Sequence, residues 1–198
     1  MNRLARKVDR QRVAFVGVLR CPLSQSINMT DLSRTAEGKN RKPLIIAGIV
    51  LGLGIAGFFD GIVIHQLLQW HHMFTNVETD RTVAGLELNT LGDGLFHLLD
   101  YVLVLVGMAL LWRAAKKETA SLSTFVLGGS LLVGAGLFDF FEGLVDHQLL
   151  GIHHVKPGPN EFAWDMGFLA VGLGLALLGW FVISLEDKVL KGIEQSAD

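Results

Sequence analysis

Histidines recur in two short stretches of the chain at the same spacing. HQLLQWHH begins at His65 and HQLLGIHH begins at His147, 82 residues later (147 − 65). The longer segments FFDGIVIHQLLQWHH and FFEGLVDHQLLGIHH are identical at ten of fifteen positions, and Asp60 of the first matches Glu142 of the second. Imidazole and carboxylate groups without thiolates are typical ligands of zinc, iron, manganese or copper(II). The pattern therefore predicts a metal site built from two related segments.

The apolar runs around these stretches hold further ionisable residues. Residues four and seven positions apart share one face of an α-helix, which aligns Asp93 with His97 and Asp100. A second stripe of acids with the same spacing lies in the third apolar run. The predicted metal ligands are His65, His72, His97, His147, His154, Asp60, Asp93, Asp100, Asp139, Glu142 and Asp146.

One pair in this set conflicts with regular helix geometry. Asp60 and His65 are five residues apart, so a straight α-helix would point them about 140° away from each other. Gly61 lies between them, and Gly143 lies at the matching place in the second stretch. We therefore expect a local bulge at both glycines, which would bring each acid to its histidine.

The histidines are expected to lie at two depths. His72 and His154, with the residue before each, would capture an ion at the membrane surface, while His65, His97, His147 and the carboxylates would hold it deeper. The residues before them, His71 and His153, are also typical of the membrane interface, so we leave both out of the predicted ligand set.

Composition indicates a membrane protein. The chain has 198 residues, of which 51% are hydrophobic and 18% are charged, whereas soluble domains carry about a quarter charged residues. The net charge of −2 gives no indication of a nucleic-acid partner. Cys21 is the single cysteine, which excludes an intrachain disulfide and a cysteine-rich metal site.

The apolar runs predict an all-α fold. A bilayer crossing takes about 20 residues, and four runs are long enough: 43–68, 91–112, 123–150 and 162–184. The matching stretches group them into repeat 1 (43–112) and repeat 2 (123–184), joined by a loop (113–122). Each repeat has two helices, so both enter the membrane in the same sense. The predicted fold is an integral membrane four-helix bundle built from two parallel two-helix repeats.

Lysine and arginine predict the orientation. They are concentrated before the first run, in the 113–122 loop and after the fourth run, which places both termini in the cytoplasm and the ionisable residues in the outer half of the membrane. Residues 1–42 are expected to be a flexible basic segment, with Met29 as the natural start, and residues 185–198 a cytoplasmic tail.

The duplicated signature FF[DE]GxVxHQLLxxHH, together with four spans, resembles a family of predicted bacterial membrane proteins of unknown function. The resemblance covers about residues 40–185. It implies a four-span protein of the bacterial inner membrane. It also suggests a partner in the assembly of a respiratory oxidase or another metalloenzyme, and it implies no activity and no oligomeric state.

Three functions stay open at this point. The first is binding of a transition metal at the outer face for metal handling or metalloenzyme assembly. The second is a membrane metalloenzyme, either a hydrolase with Glu142 or Asp139 as general base or a di-iron oxidase. The third is a proton or cation pathway, which the wholly apolar inner halves of the runs disfavour. Zinc or iron fits the ligand types best and copper also fits, whereas haem is disfavoured because many acids would surround an apolar macrocycle.

Overall fold

The computed structural model describes residues 40–117 and 122–196. These residues form four long helices, which confirms the predicted all-α fold: α1 (Lys42–Phe59), α2 (Val83–Ala115), α3 (Thr124–Glu142) and α4 (Glu161–Gln195). α1 continues into a π-helix at Asp60–Leu68, here called the first π segment, and α3 into one at Gly143–Leu149, the second π segment. The predicted basic segment 1–42 lies outside the described residues except for its last three, and so does Met29.

All four helices are long and apolar enough to cross a membrane. The candidate spans are Lys42–Leu68, Val83–Ala115, Thr124–Leu149 and Glu161–Glu186. α2 begins at Val83, ahead of the apolar run at 91, because the Thr82 side chain caps it by accepting a hydrogen bond from the Gly85 amide. Ser123 caps α3 in the same way through the amides of Phe125 and Val126.

The helices pack in a row in which α1 and α3 are central. α1 packs against α2 and α3, and α4 packs against α3. α1 and α3 approach closely where Gly52 meets the Leu131 carbonyl and Gly134 meets the Ile49 carbonyl; a Cβ atom on either glycine would collide with that backbone oxygen. Small residues at such a crossing allow tight helix packing in a membrane.

The peripheral helices carry an exposed apolar surface. Large side chains such as Leu98 and Trp112 on α2 and Leu177 and Trp180 on α4 are more than half exposed. A soluble monomer rarely exposes so continuous an apolar surface, and helices satisfy their own backbone hydrogen bonds in hydrocarbon. The protein is therefore a multi-pass membrane protein whose outer helices face lipid.

The two ends of the helix row differ in chemistry. One end contains both π segments and the connections 69–82 and 150–160, and is called the histidine end. At the opposite end Arg41 pairs with Glu186 at 3.5 Å, and the Ser123 hydroxyl donates a hydrogen bond to the same carboxylate. Between the two ends the packing of α1 on α3 is made by glycine, aliphatic side chains and the buried Ser130.

Candidate metal centre

The π segments bring each predicted acid to its histidine. A π-helix bonds residue i to residue i+5, so residues five apart return to nearly the same face. His65 Nε2 lies 3.2 Å from Asp60 Oδ2, and His147 Nε2 lies 3.1 Å from Glu142 Oε1. The expected bulges at Gly61 and Gly143 are confirmed, and they are extended into π-helices of 9 and 7 residues.

After each π segment the chain turns back toward the helices. Gln69 and Gly151, the residues at this turn, have left-handed backbones with φ of 48° and 58°. As a result His71 is 2% exposed and His153 is 1% exposed. The interpretation of these two histidines as interface residues is wrong, because helix phase alone does not reveal a chain reversal that returns them to the interior.

His71 and His153 are held by main-chain oxygens from the opposite half of the molecule. His71 Nδ1 donates to the Val155 carbonyl at 2.8 Å, and His153 Nδ1 donates to the Met73 carbonyl at 3.1 Å. A carbonyl only accepts, so Nδ1 carries a proton in both rings. In the neutral ring of His71 the Nε2 lone pair is available, whereas His153 Nε2 lies 2.9 Å from Glu142 Oε1. Burial lowers the pKa of His71 well below its ordinary value, and the nearby His153 and His65 lower it further, which favours this neutral form.

His65 is held by a carboxylate on α2. Its Nδ1 lies 2.8 Å from Asp93 Oδ1, which also accepts from the Met73 amide at 2.9 Å. Asp93 Oδ2 accepts from His72 Nδ1 at 2.7 Å and from the Gln66 amide group at 3.3 Å. With both oxygens occupied, Asp93 orients imidazoles and lies one layer outside the central cluster, as does His72.

Asp165 on α4 makes the corresponding contacts in the second half. It accepts from His154 Nδ1 at 2.7 Å, from the Val155 amide at 3.0 Å and from the Gln148 side chain at 3.2 Å, and lies 3.6 Å from His147 Nδ1. Asp165 was not among the predicted ligands. The signal for its role was the weak likeness of WDMGF to GDGLF, which contains Asp93.

Six side chains converge between the π segments. They are Asp60, His65, His71, Glu142, His147 and His153, here called the central cluster. The donor atoms of His65, His71 and His153 all lie within 4.8 Å of one another, and so do those of Glu142, His147 and His153. Buried atoms of five members make no hydrogen bond to any described residue: Asp60 Oδ2, Glu142 Oε2 and the Nε2 atoms of His65, His71 and His147.

Three other predicted ligands lie near the cluster without joining either group of donors. His97 Nδ1 donates to the Asp93 carbonyl at 2.7 Å, one turn earlier on α2. Asp100 on α2 is 0% exposed and packs against Gly57 on α1. Asp146, in the second π segment, is partly buried.

Asp139 and Asp100 make similar contacts in the two halves, but Asp100 lies on the second helix of its half and Asp139 on the first helix of its half. Asp139 lies on α3 and packs against Gly172 on α4, whereas Asp100 lies on α2 and packs against Gly57 on α1. Asp139 itself stands 82 positions after Gly57 (139 − 57). Each half thus keeps one acid, buried at Asp100 and partly buried at Asp139, facing one glycine on the side of the central cluster away from the histidine turns.

The surface of the histidine end is aromatic and basic. The rings of Trp70 and Trp164 are 5.3 Å apart, and Lys156 Nζ lies 4.5 Å from the first ring centre and 5.4 Å from the second. Tryptophan and lysine together are typical of the membrane–water boundary, which places the central cluster just inside that boundary.

No curated protein and no solved structure matches the chain. Residues 47–186 match a family described as Predicted membrane protein (DUF2243). That segment contains both π segments and all six residues of the central cluster. The chain therefore belongs to the DUF2243 family of predicted membrane proteins.

Proposed function

We propose that this protein binds a divalent transition metal between its two π segments, through the six side chains of the central cluster. One observation supports this above all others: four buried imidazoles each have an oxygen near Nδ1 and turn Nε2 toward a common region. Histidines that ligate a metal through Nε2 almost always give Nδ1–H to a carboxylate or a backbone carbonyl.

The unpartnered buried atoms argue that a ligand is needed there. A buried polar atom without a hydrogen bond costs about 1–3 kcal/mol, and five atoms of the central cluster make none to the described residues, although some lie close to an oppositely charged group. The ion pairs of Asp60 and Glu142 within the described residues are with histidine, with no lysine or arginine nearby. A bound cation would satisfy the nitrogens and the carboxylates together.

Ligand chemistry limits the metal to a few ions. Imidazole and carboxylate ligands suit zinc, iron and copper(II), and the cluster contains no thiolate or thioether. Zinc or iron fits best because both accept mixed nitrogen and oxygen ligands at about 2.0–2.2 Å.

Metal handling is the role that this site supports best. Under the orientation predicted from lysine and arginine, the histidine end faces outward from a bacterial inner membrane. Beyond Asp100 and Asp139, the helix contacts between the cluster and the opposite end are filled by glycine, Ser130 and aliphatic side chains, so the ion would enter and leave through the histidine end. Such a site would store or deliver metal for a metalloenzyme, such as an oxidase under assembly.

Metal analysis of the purified full-length chain tests this function. The wild-type protein is expected to retain zinc or iron by mass spectrometry after dialysis. His153→Ala should lose most of it, because His153 belongs to both groups of donors. His97→Ala is the control, since His97 bonds to its own helix and should retain the wild-type content. A wild-type chain that binds no zinc, iron or copper when each is supplied would contradict the proposal.

A further inference from the structure

We infer that the central cluster holds two metal ions side by side, one in each half of the molecule. This inference rests on the proposed function and goes beyond it. The first ion would be bound by Asp60, His65 and His71, and the second by Glu142, His147 and His153.

The distances between donors favour two positions over one. Ligands of a single ion at about 2.1 Å can be no more than about 4.2 Å apart. Within the described residues the donor atoms form two groups of three rather than one group of six: His65 with His71 and His153, and Glu142 with His147 and His153. Asp60 belongs to neither group and is assigned to the first ion because its Oδ2 lies 3.2 Å from His65 Nε2. His153 is assigned to the second ion because its Nε2 lies 2.9 Å from Glu142 Oε1.

The ring positions show the same division. Ring centres within one half are close, with His65 to His71 at 4.5 Å and His147 to His153 at 4.8 Å. Two of the pairs that cross between halves are longer, with His65 to His153 at 5.8 Å and His71 to His147 at 6.1 Å. His71 and His153 stack at 4.5 Å where the halves meet, so these two nearly parallel rings lie side by side, one from each half.

Glu142 has the contacts expected of a carboxylate that bridges two ions. Its Oε1 lies 3.1 Å from His147 Nε2 and 2.9 Å from His153 Nε2. Its Oε2 is buried and makes no hydrogen bond to the described residues. Each oxygen is thus available to a different ion, and ions in two-metal sites lie about 3.5–4 Å apart. Glutamate is one methylene longer than the matching Asp60, which gives it the reach for this position.

The number of acids also favours two ions. Four carboxylates contact the imidazoles of the site: Asp60, Asp93, Glu142 and Asp165. Their four negative charges equal the charge of two divalent ions when the imidazoles are neutral, which is the form that binds a metal.

Metal stoichiometry decides between one ion and two. The full-length chain in detergent is stripped with a chelator, titrated with Co²⁺, freed of unbound metal by gel filtration and analysed for cobalt per chain. We expect two Co²⁺ per wild-type chain, about one for His65→Ala and for His147→Ala, and two for the His97→Ala control. One Co²⁺ per wild-type chain would overturn the two-ion inference and leave the proposed function standing, whereas none would overturn both.

A second measurement needs no variant and so does not depend on how variants fold. Mn²⁺ replaces Co²⁺, and the electron paramagnetic resonance spectrum of the loaded wild-type chain is recorded. Two ions about 4 Å apart are magnetically coupled. The six-line signal of isolated Mn²⁺ should therefore be much weaker than the same amount of uncoupled Mn²⁺ would give. An isolated-ion signal that accounts for all the bound Mn²⁺ would overturn the inference.

Discussion

Asp93 and Asp165 serve the same purpose in the two halves of the molecule. Asp93 contacts the first and last histidines of HQLLQWHH, and Asp165 contacts the first and last histidines of HQLLGIHH. Each carboxylate also accepts a hydrogen bond from a main-chain amide in the connection that follows its stretch. A carboxylate in this position fixes the tautomer of an imidazole and makes it a better metal ligand. Under the proposed function, these two acids would therefore set the affinity for the metal without binding it themselves.

Replacement of Asp93 tests this role. Asp93→Asn keeps the shape of the side chain, but its amide nitrogen donates where an oxygen accepted, so either His65 or His72 loses its partner. We expect the affinity for Zn²⁺ to fall about 10- to 100-fold, as measured by competition with a chromophoric chelator. Asp80→Asn, an exposed change of the same type in the connection between α1 and α2, is the control and should leave the affinity unchanged. Equal affinity of the Asp93 variant and wild type would show that the carboxylate does not orient a ligand.

Individual residues were predictable from the sequence where a pattern repeats. His65, His147, Asp60 and Glu142 stand out because the same stretch occurs twice inside apolar runs. The middle histidine of each stretch was expected at the membrane interface because it lies near the end of an apolar run, and that expectation did not include the reversal after the π segment. Spacing within one helix also could not distinguish a ligand from an orienting residue such as Asp93, since that depends on which side chains meet across helices.

At the level of the elements, the left-handed turns decide where the histidines point. Gln69 and Gly151 occupy matching positions, yet only glycine adopts positive φ without strain. A left-handed backbone costs about 1–2 kcal/mol for an ordinary residue. The first turn therefore carries strain that the second avoids.

The two turns should respond oppositely to substitution. Gly151→Ala should lower the free energy of unfolding by about 1 kcal/mol, although a Cβ there meets no neighbour within 4 Å. Gln69→Gly should raise it by a smaller amount, because the gain in the turn is partly offset by the flexibility of glycine in the unfolded chain. Unfolding titrations in mixed micelles would measure both, and equal destabilisation by the two variants would contradict the assignment of strain.

The crossing of α1 and α3 is a second element whose sequence signal can be tested. The spacing of Gly48 and Gly52 is typical of tight helix packing, and the structure uses both for it, with Gly48 facing Ser130. Gly52→Ala should destabilise the protein by about 1–3 kcal/mol, because its Cβ would press on the Leu131 carbonyl and a backbone must shift. Gly174→Ala, on α4 with open space around its Cβ, is the matched control and should not be destabilised. Thermal unfolding in detergent distinguishes them.

At the scale of the whole molecule, hydropathy was sufficient to predict four spans, but it did not predict which helices pack against each other. Apolar runs of about 20 residues indicate helices that cross a membrane, whatever their order of packing. That α1 and α3 form the central pair follows from glycine contacts between segments far apart in the chain. The π segments were predictable only as local bulges. An acid and a histidine five residues apart, with a glycine between them, indicate a departure from the α-helix but not how far along the chain it extends.

The predicted orientation can be tested on whole cells. In a Cys21→Ser background, a cysteine introduced by Asp80→Cys should react with a membrane-impermeant maleimide added outside, because the connection between α1 and α2 belongs to the histidine end. Lys117→Cys, exposed at the other end, should react only after the cells are permeabilised. The opposite labelling pattern would turn the histidine end toward the cytoplasm and give the site access to the intracellular metal pool instead.

The exchanged carbonyl contacts have a consequence for biosynthesis. Val155 from the second half fixes His71 of the first, Met73 from the first half fixes His153 of the second, and Asp165 on the last helix completes the support of His147. While only α1 and α2 have been made, half of the ligands do not yet exist and His71 lacks its acceptor. Under the proposed function, loading with an ion would therefore follow synthesis of α4, and a nascent chain that stalls before this helix would not sequester metal in a partly built site.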